Sequence, residues 1–260
     1  MHSKRQVVVY TAITDGYDRL TAPLPADPEI SYFCFSDGKS SSVAPWTTVD
    51  VRHLEMTAKD RNRYVKMHPH LFLPDHDLSV YVDGSIKIIG DLGSLLTSIE
   101  GRKESIFLYD HPQRNCIYEE SEACAFFGHD WRWRIRRQMK GYIGLGYPRN
   151  NGLFEAGVMI RRNLPEMRAL MASWWSEYAT GVKRDQLSLP YVAWRDGVPL
   201  GSLGRSDPRF IHDYFKFENH ARRVPVSTYL KQGLNRLFMQ GPRAVESLEG
   251  VATSRHRRGP

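Results

Sequence analysis

The segment 78–92 constrains the fold of this chain more than any other. It opens with the apolar run Leu78–Val82, whose residue types favour a buried strand. The run ends at the carboxylate of Asp83 and the hydroxyl of Ser85, and a second apolar run, 86–89, follows. In open α/β sheets ligands bind beyond the carboxyl ends of strands, so we expect Asp83 to lie at a ligand site.

The same segment has a second interpretation. Asp83-Gly84 between two apolar runs is a strong short signal for a β-hairpin turn. A single carboxylate also supplies few of the oxygen ligands that Mg²⁺ or Mn²⁺ requires. Locally, a hairpin turn and a metal site are equally well supported.

Two further Asp-Gly loops favour a ligand site. A strand is predicted over 6–13 and ends in the loop that contains Asp15, and a second strand over 30–35 ends at Asp37. With Asp83, this makes a repeated strand-then-carboxylate arrangement. The sequence therefore predicts a sheet edge lined with carboxylates.

The first of these loops could hold a nucleotide. The ring of Tyr17 could stack on the base, while Thr11 and Asp15 bond the base or ribose. The alternative is an Asp-Gly turn with Tyr17 packed on the core.

A helix is predicted to begin at Thr57, because an acidic residue, Asp60, follows the hydroxyl by three positions. Arg63 and Lys66 lie three residues apart, so they share one face of that helix. Together they could neutralise a diphosphate, or they could form a solvated face.

A histidine-rich stretch suggests a different enzyme class. His68, His70, His76 and Asp77 could ligate a metal in a hydrolase. Their spacing matches neither a helical His pair nor a compact binuclear motif. Surface or capping roles are favoured.

The second half of the chain continues the alternation of strands and helices. A strand over 153–160 is predicted to bring Glu155 to a sheet edge, and a helix runs from Pro165 to Gly181. Asp185 and Gln186 then open another segment. This order predicts an α/β domain.

Composition limits the partners. The 260 residues carry a formal charge of +7, and the pI of 9.3 and mean hydropathy of −0.47 fit a globular protein with an anionic partner. Nucleotide phosphates or an anionic membrane would satisfy that charge, whereas no nucleic-acid-binding motif is present. The helix predicted over 131–140 has an apolar stripe opposite a basic face, so it could pack on the core or touch such a membrane.

We expect one domain over residues 1–235, followed by a basic, flexible tail over 236–260. The apolar start is too short for a signal peptide, which predicts a cytoplasmic protein, with membrane association as an option. Cys34, Cys116 and Cys124 have no metal-type spacing and are expected to be buried, reduced thiols.

Several motifs resemble known enzymes. The segments Val80–Leu92, Phe154–Ile160 and 184–186 resemble the Asp-x-Asp segment, the Asn-Ala-Gly-Val strand and the Asp-Gln motif of glycogenin-like enzymes with the glycosyltransferase-A fold. The chain more closely resembles a glycosyltransferase-like family first catalogued as a domain of unknown function, with plant mucilage-associated and bacterial members. The motifs of that family are found here as Tyr10-Thr-Ala-Ile-Thr-Asp-Gly-Tyr-Asp18, Phe33-Cys-Phe-Ser-Asp37, Arg63-Tyr-Val-Lys-Met-His-Pro-His70, His111-Pro-Gln-Arg114 and Arg184-Asp-Gln-Leu-Ser188.

The resemblance implies a single glycosyltransferase-A-like (Rossmann-like) domain, a mixed sheet flanked by helices. It also implies transfer of a sugar from a nucleoside-diphosphate donor, with a UDP-sugar favoured, to a glycan or glycolipid acceptor in surface polysaccharide assembly. A protein that binds nucleotide or glycan without catalysis is the further alternative, because a fold does not guarantee activity.

The resemblance also implies residue roles. Asp83 would ligate Mn²⁺ or Mg²⁺ on the donor diphosphate, with Ser85 in place of the second carboxylate of Asp-x-Asp and His212 as the late histidine ligand. A metal-independent mode would use Arg63 and Lys66 on the diphosphate instead.

The remaining roles concern the sugar and the acceptor. Glu155 stands where the related enzymes have Asn. We expect Asp185 and Glu155 to face the sugar and acceptor, with Gln186 orienting a hydroxyl. If the transfer inverts the anomeric centre, one of the two carboxylates must act as the base.

Overall fold

The structure, a computed structural model, describes residues 5–38, 42–205, 213–218 and 225–237, together with 220 and 239. Strands and helices alternate along most of these residues, as predicted. The strands are β1 (Val7–Ile13), β2 (Ser31–Ser36), β3 (Thr47–Asp50), β4 (Leu78–Val82), β5 (Ile86–Ile88), β6 (Ile106–Asp110), β7 (Phe154–Arg162), β8 (Leu200–Ser202) and β9 (Phe215–Phe217).

Several helices begin where the sequence supplies a cap or a proline. The side chain of Thr57 accepts a hydrogen bond from the Asp60 backbone nitrogen at the start of the first helix, and Asp91 caps the third in the same way. The helices are α1 (Ala58–Met67), α2 (Pro69–Phe72), α3 (Leu92–Thr97), α4 (Ile117–Phe126), α5 (Arg132–Gly144), α6 (Pro165–Thr180), α7 (Asp185–Arg195) and α8 (Val226–Leu237).

The main sheet is mixed, and its described strands follow the order β3-β2-β1-β4-β7-β6-β8. β1 runs parallel to both β2 and β4, so these strands end at the same edge of the sheet. Asp15, Asp37 and Asp83 follow those three ends closely, which confirms the predicted carboxylate-lined edge. β7 is antiparallel to β4 and β6.

The hairpin interpretation of Asp83-Gly84 is wrong. β5 pairs antiparallel with β9 in a separate two-stranded sheet, whereas β4 pairs with β1 and β7. The Asp83 carbonyl accepts a hydrogen bond from the Ile86 nitrogen at 2.8 Å, so the chain turns out of the main sheet there. The pairing of β5 with β9 decides between the hairpin and the ligand-site interpretations. It cannot be inferred from the local sequence, because β9 comes much later in the chain.

The core lies on both faces of the main sheet. Every residue of β4 is buried, as expected for a central strand with both faces covered. Helix α6 contributes the buried side chains Met167, Leu170, Met171, Trp174 and Tyr178. The buried strand predicted over Leu78–Val82 is therefore confirmed.

The chain divides into two compact units. The described parts of Met1–Ile117 and Tyr147–Arg223 form the first, which contains both sheets, and those of Tyr118–Gly146 and Val224–Pro260 form the second. The boundary predicted at residue 235 stays a prediction. The three cysteines are free and buried, as expected. Among the described helices, none combines the length and apolarity needed to cross a membrane.

Candidate functional site

The last turn of α1 carries a lysine into the protein interior. Lys66 is 1% exposed. Its carbonyl oxygen accepts hydrogen bonds from the Tyr10 hydroxyl at 2.7 Å and from Arg161 Nη1 at 2.8 Å. These bonds fix the helix against β1 and β7, and so fix where the ammonium of Lys66 points.

The ammonium of Lys66 joins two carboxylates that are far apart in sequence. Its Nζ lies 2.8 Å from Asp185 Oδ2 and 3.4 Å from Asp83 Oδ1. It also lies 5.0 Å from the centre of the Tyr81 ring. Since a buried charge is tolerated only when it is paired, these contacts explain how the lysine can be enclosed.

Asp185 is the first residue of α7, where the helix dipole favours a negative charge. It is 5% exposed, and Arg63 Nε lies 3.1 Å from its Oδ2. Burial alone would raise the pKa of Asp185, but the charges of Arg63 and Lys66 hold it well below its usual range. Asp185 is therefore ionised at neutral pH.

Two further groups hold Asp83 in addition to Lys66. The Tyr81 hydroxyl donates to its Oδ1 at 2.7 Å, and its backbone nitrogen donates to the Gly157 carbonyl at 2.8 Å. A Cβ at Gly157 would lie 2.8 Å from Ile86 Cδ1 and 3.4 Å from Asp83 Oδ2. The absence of a side chain at Gly157 thus keeps the second oxygen of Asp83 uncrowded.

A further carboxylate lies beside the same loop. A Cβ at Gly84 would lie 2.9 Å from Asp18 Oδ2, so Asp18 packs against the backbone that follows Asp83. Asp18 Oδ1 lies 2.6 Å from His220 Nδ1. The hydrogen bond to Asp18 outweighs burial and raises the pKa of His220, and the charge of Asp83 adds to that rise.

Sequence reasoning missed Tyr81, Asp18 and His220. Asp18 stands in the quoted Tyr10–Asp18 motif, and that was a usable signal. His220 has no local signal. His212, the residue predicted for the late-histidine role, lies outside the described residues.

The three residues predicted to contact a nucleotide lie in β1 and in the loop that follows it, in different environments. Thr11 is buried in β1, and its hydroxyl has no hydrogen-bond partner among the described residues. The Asp15 backbone nitrogen donates to Asp37 Oδ2 at 2.8 Å, and the Tyr17 ring lies 4.6 Å from the His220 ring. Nucleotide binding by this loop stays a prediction.

Glu155 lies beside His111, the residue that follows β6. Its Oε1 is 3.5 Å from His111 Nε2. His111 Nδ1 accepts from the backbone nitrogens of Gln113 and Arg114, so the proton of a neutral His111 is on Nε2 and faces Glu155. The catalytic role predicted for Glu155 stays a prediction.

Gln186 follows Asp185 in the buried first turn of α7. Its Oε1 accepts from Arg184 Nη2 at 3.1 Å. Its buried Nε2 has no hydrogen-bond partner in the part of the chain that the structure describes. An unpaired buried amide costs free energy, so this donor is suited to a bound hydroxyl.

The histidine-rich stretch does not form a metal centre within the described residues. His68 Nδ1 and His76 Nδ1 lie 2.8 Å from the backbone carbonyls of Tyr64 and Pro74, and Asp77 Oδ2 accepts from the Gln6 nitrogen. In the described ranges, no group of three or more His, Cys, Asp or Glu could hold a metal ion. The metal-hydrolase alternative therefore gains no support from the fold.

Known glycosyltransferases are among the proteins that are similar to this chain. The crystal structure of mouse xyloside xylosyltransferase 1 in its apo form is 12% identical, with a TM-score of 0.46 over 76% of this chain and 84% of that chain. The apo structure of the bifunctional glycosyltransferase WbbM is 11% identical, with a TM-score of 0.45 over 91% of this chain and 45% of that chain. The probable hexosyltransferase MUCI70 of Arabidopsis thaliana is 24% identical over 219 residues, which are 74% of this chain.

The chain spans 38% of the length of that Arabidopsis relative. The family described as TOD1/MUCI70, glycosyltransferase-like domain, matches residues 1–198, well over half of the chain. That range contains the sequence motifs that carry the family resemblance, together with Arg63, Lys66, Asp83 and Asp185. The chain belongs to the TOD1/MUCI70 glycosyltransferase-like family.

Proposed function

We propose that this protein is a glycosyltransferase that uses a nucleoside-diphosphate sugar. The observation that carries the proposal is the buried ammonium of Lys66, which joins Asp83, at the carboxyl end of a central strand, to Asp185, at the start of a helix. The family supports the reaction class. The probable hexosyltransferase among its relatives supports a hexose as the transferred sugar.

In sugar transfer the leaving nucleoside diphosphate gains negative charge, which nearby cations stabilise. Arg63 is suited to that role, because its side chain is 22% exposed at the edge of the cluster. Lys66 is enclosed, so we assign it a positioning role: it holds the carboxylates of Asp83 and Asp185 in place.

The carboxylates have different tasks. The lowered pKa of Asp185 makes it a weak base, so we assign it to stabilising the oxocarbenium-like sugar and accepting hydroxyl hydrogen bonds. Gln186 would donate its unpaired amide to a sugar or acceptor hydroxyl. If the transfer inverts the anomeric centre, Glu155 with its neighbour His111 is the candidate base.

A divalent cation remains part of the proposal as a prediction. The Asp83 carboxylate and the Ser85 hydroxyl supply fewer oxygens than Mg²⁺ or Mn²⁺ requires, and one oxygen of the neighbouring Asp18 carboxylate is bound to His220. These residues do not fit a resident metal on their own. Donor phosphate oxygens would have to complete the coordination, and no step above depends on the ion.

We further propose a UDP-sugar as donor, with Thr11, Asp15 and Tyr17 around the nucleotide. The acceptor would be a glycan or glycolipid, and the setting surface polysaccharide assembly in the cytoplasm or at its membrane. These assignments come from the family resemblance.

The test is a nucleotide-binding and turnover assay on the whole chain. Thermal melting is measured with UDP, GDP, CDP and dTDP, each with and without Mn²⁺, because a ligand that binds the native state raises Tm. Release of nucleoside diphosphate from matching sugar donors is followed in parallel. Asp83→Asn should abolish both signals, whereas Asp50→Asn, an exposed carboxylate at the end of β3, should leave them unchanged.

Other outcomes would contradict the proposal. Stabilisation by a nucleotide with no turnover for any sugar donor would indicate a binding domain without catalysis. No shift with any nucleotide, together with zinc bound on purification, would return the metal-hydrolase alternative.

A further inference from the structure

Helix α8 turns its polar side toward the rest of the second compact unit, to which it belongs. Asn235 is buried, and its Nδ2 donates to the carbonyls of Ala125 at 2.8 Å and Asp130 at 2.9 Å. Its Oδ1 accepts from the Arg132 nitrogen at 3.0 Å. A Cβ at Gly128 would come within 2.7 Å of an α8 backbone nitrogen, so the helix is seated closely on this side.

The opposite side of α8 is apolar and faces solvent. Large apolar residues recur three or four positions apart, a spacing that puts them on one face of a helix. Their exposed fractions are 82% for Val226, 59% for Tyr229, 59% for Leu230, 39% for Leu234 and 77% for Leu237. A surface helix normally has the reverse arrangement, with its apolar stripe against the core. Exposed apolar patches on protein surfaces commonly mark interaction sites.

The charges on α8 indicate which kind of partner would bind its exposed apolar face. The helix contains Lys231 and Arg236 and no acidic residue. A second copy of the helix would therefore bring like charges together. An anionic surface would pair with Lys231, whereas Arg236 stacks on the Phe126 ring at 3.9 Å and adds to the positive charge of the helix. The 12 residues of α8 span about 18 Å, which suits a helix lying flat in a membrane interface and is short for a coiled coil.

Helix α5, which belongs to the same unit, adds to this charge. Its buried residues Ile135, Met139 and Tyr142 form the core-facing stripe, as one of its two sequence interpretations predicted. Its outer face exposes Trp133, at 63%, with Arg137 and Lys140. A tryptophan among basic residues is typical of helices at a lipid headgroup region.

We propose that the exposed face of α8 docks this protein on an anionic membrane surface, with Val226, Leu230 and Leu237 entering the interface and Lys231 contacting lipid headgroups. The glycosyltransferase assignment is not needed for this proposal. Each part can fail without the other.

The test is co-sedimentation of the full chain with vesicles of phosphatidylcholine, with and without phosphatidylglycerol. Wild type should bind the anionic vesicles and lose binding as salt is raised. Leu230→Glu should weaken binding about tenfold or more, the loss expected for removing one leucine from an apolar environment. Leu71→Glu is the matched control, since Leu71 is 57% exposed and lies in α2 of the other unit. It should bind like wild type.

A second variant leaves the apolar stripe intact. Lys231→Gln should weaken binding to anionic vesicles about fivefold, as expected for one cation near an anionic surface. Light scattering on every protein reports the oligomeric state, and circular dichroism reports folding.

Three results would overturn the proposal. Wild type could remain in the supernatant with all vesicles. Leu230→Glu and Leu71→Glu could bind equally well. Wild type could be a dimer that binds no vesicles and that Leu230→Glu converts to a monomer, which would assign the face to a second copy of the chain.

Discussion

Replacing Lys66 with Met tests the charge cluster directly. The substitution removes the ammonium 2.8 Å from Asp185 and 3.4 Å from Asp83 and keeps most of the side-chain volume. Removing one member of a buried ion pair typically costs about 3–5 kcal/mol. Because Arg63 remains 3.1 Å from Asp185, we expect the low end, about 3 kcal/mol at pH 7. Urea unfolding followed by circular dichroism measures this loss.

The loss of unfolding free energy caused by Lys66→Met should become smaller as the pH is lowered. The pKa of Asp185 is lowered in the folded protein, so its stabilising contribution is present above the unfolded pKa of about 4 and is lost as pH falls through the lower folded value. Lys66→Met raises that folded pKa. The difference in unfolding free energy between wild type and variant should therefore shrink as pH is lowered from 7 to below about 4.

Two further variants make the reasoning refutable. Lys66→Met combined with Asp185→Asn removes the two most deeply buried charges of the cluster. It should recover part of the lost free energy, because the charged groups left behind, Asp83 and Arg63, are partly exposed to water. Lys183→Met is the control, since Lys183 and Asp60 form a more exposed pair at 3.1 Å, and it should cost less than about 1 kcal/mol. If Lys66→Met cost no more than this control, or if the double variant recovered nothing, the cluster would not be the strongly coupled unit described above.

Three other substitutions test the surroundings of the cluster and of α8. Gly157→Ala should cost about 1–2 kcal/mol and weaken donor binding, because the new Cβ would lie 2.8 Å from Ile86 Cδ1 beside the site; unfolding and nucleotide titrations measure the two effects. Asp18→Asn should lower the pKa of His220 toward its ordinary 6.5, and the stabilisation from the wild-type contact, full below 6.5, should disappear as pH rises through the raised pKa; an NMR titration of the ring reports this, and an unchanged pKa would contradict it. Gly128→Ala, at a φ of 70°, should loosen α8 by about 2–3 kcal/mol, which would appear as faster amide hydrogen exchange in that helix but not in α6.

Local patterns predicted the elements and much of the candidate site. The buried strand before Asp83, the Thr57 cap and the shared face of Arg63 and Lys66 all follow from residue types and short spacings. Nothing local could show that Lys66 meets Asp185, because the two residues are 119 positions apart. They are brought together by the packing of α1 against α6 and of α6 against α7. The same limit applies to β5, whose partner β9 comes much later in the chain.

Spacing also failed to show how accessible each cation is. Arg63 and Lys66 lie on one helix face, which suggested two equivalent contacts for a diphosphate. The structure separates them, since Lys66 is enclosed between two carboxylates and Arg63 is partly exposed. How deeply a side chain of α1 is buried depends on the elements packed around it. One of these elements, α7, which carries Asp185, is distant in sequence.

Two helices depart from the usual amphipathic rule, in opposite directions. Helix α1 buries a lysine, and α8 exposes leucines while its asparagine is buried. Each departure costs stability that a conventional residue at the same position would avoid, so each needs a compensating role. For α1 the compensation is the pairing of two carboxylates at the edge of the sheet. For α8 it is the anionic membrane that we propose as its partner. Lys66→Met should therefore change folding stability and its pH dependence while vesicle binding persists, whereas Leu230→Glu should weaken vesicle binding about tenfold or more and leave the unfolding free energy nearly unchanged.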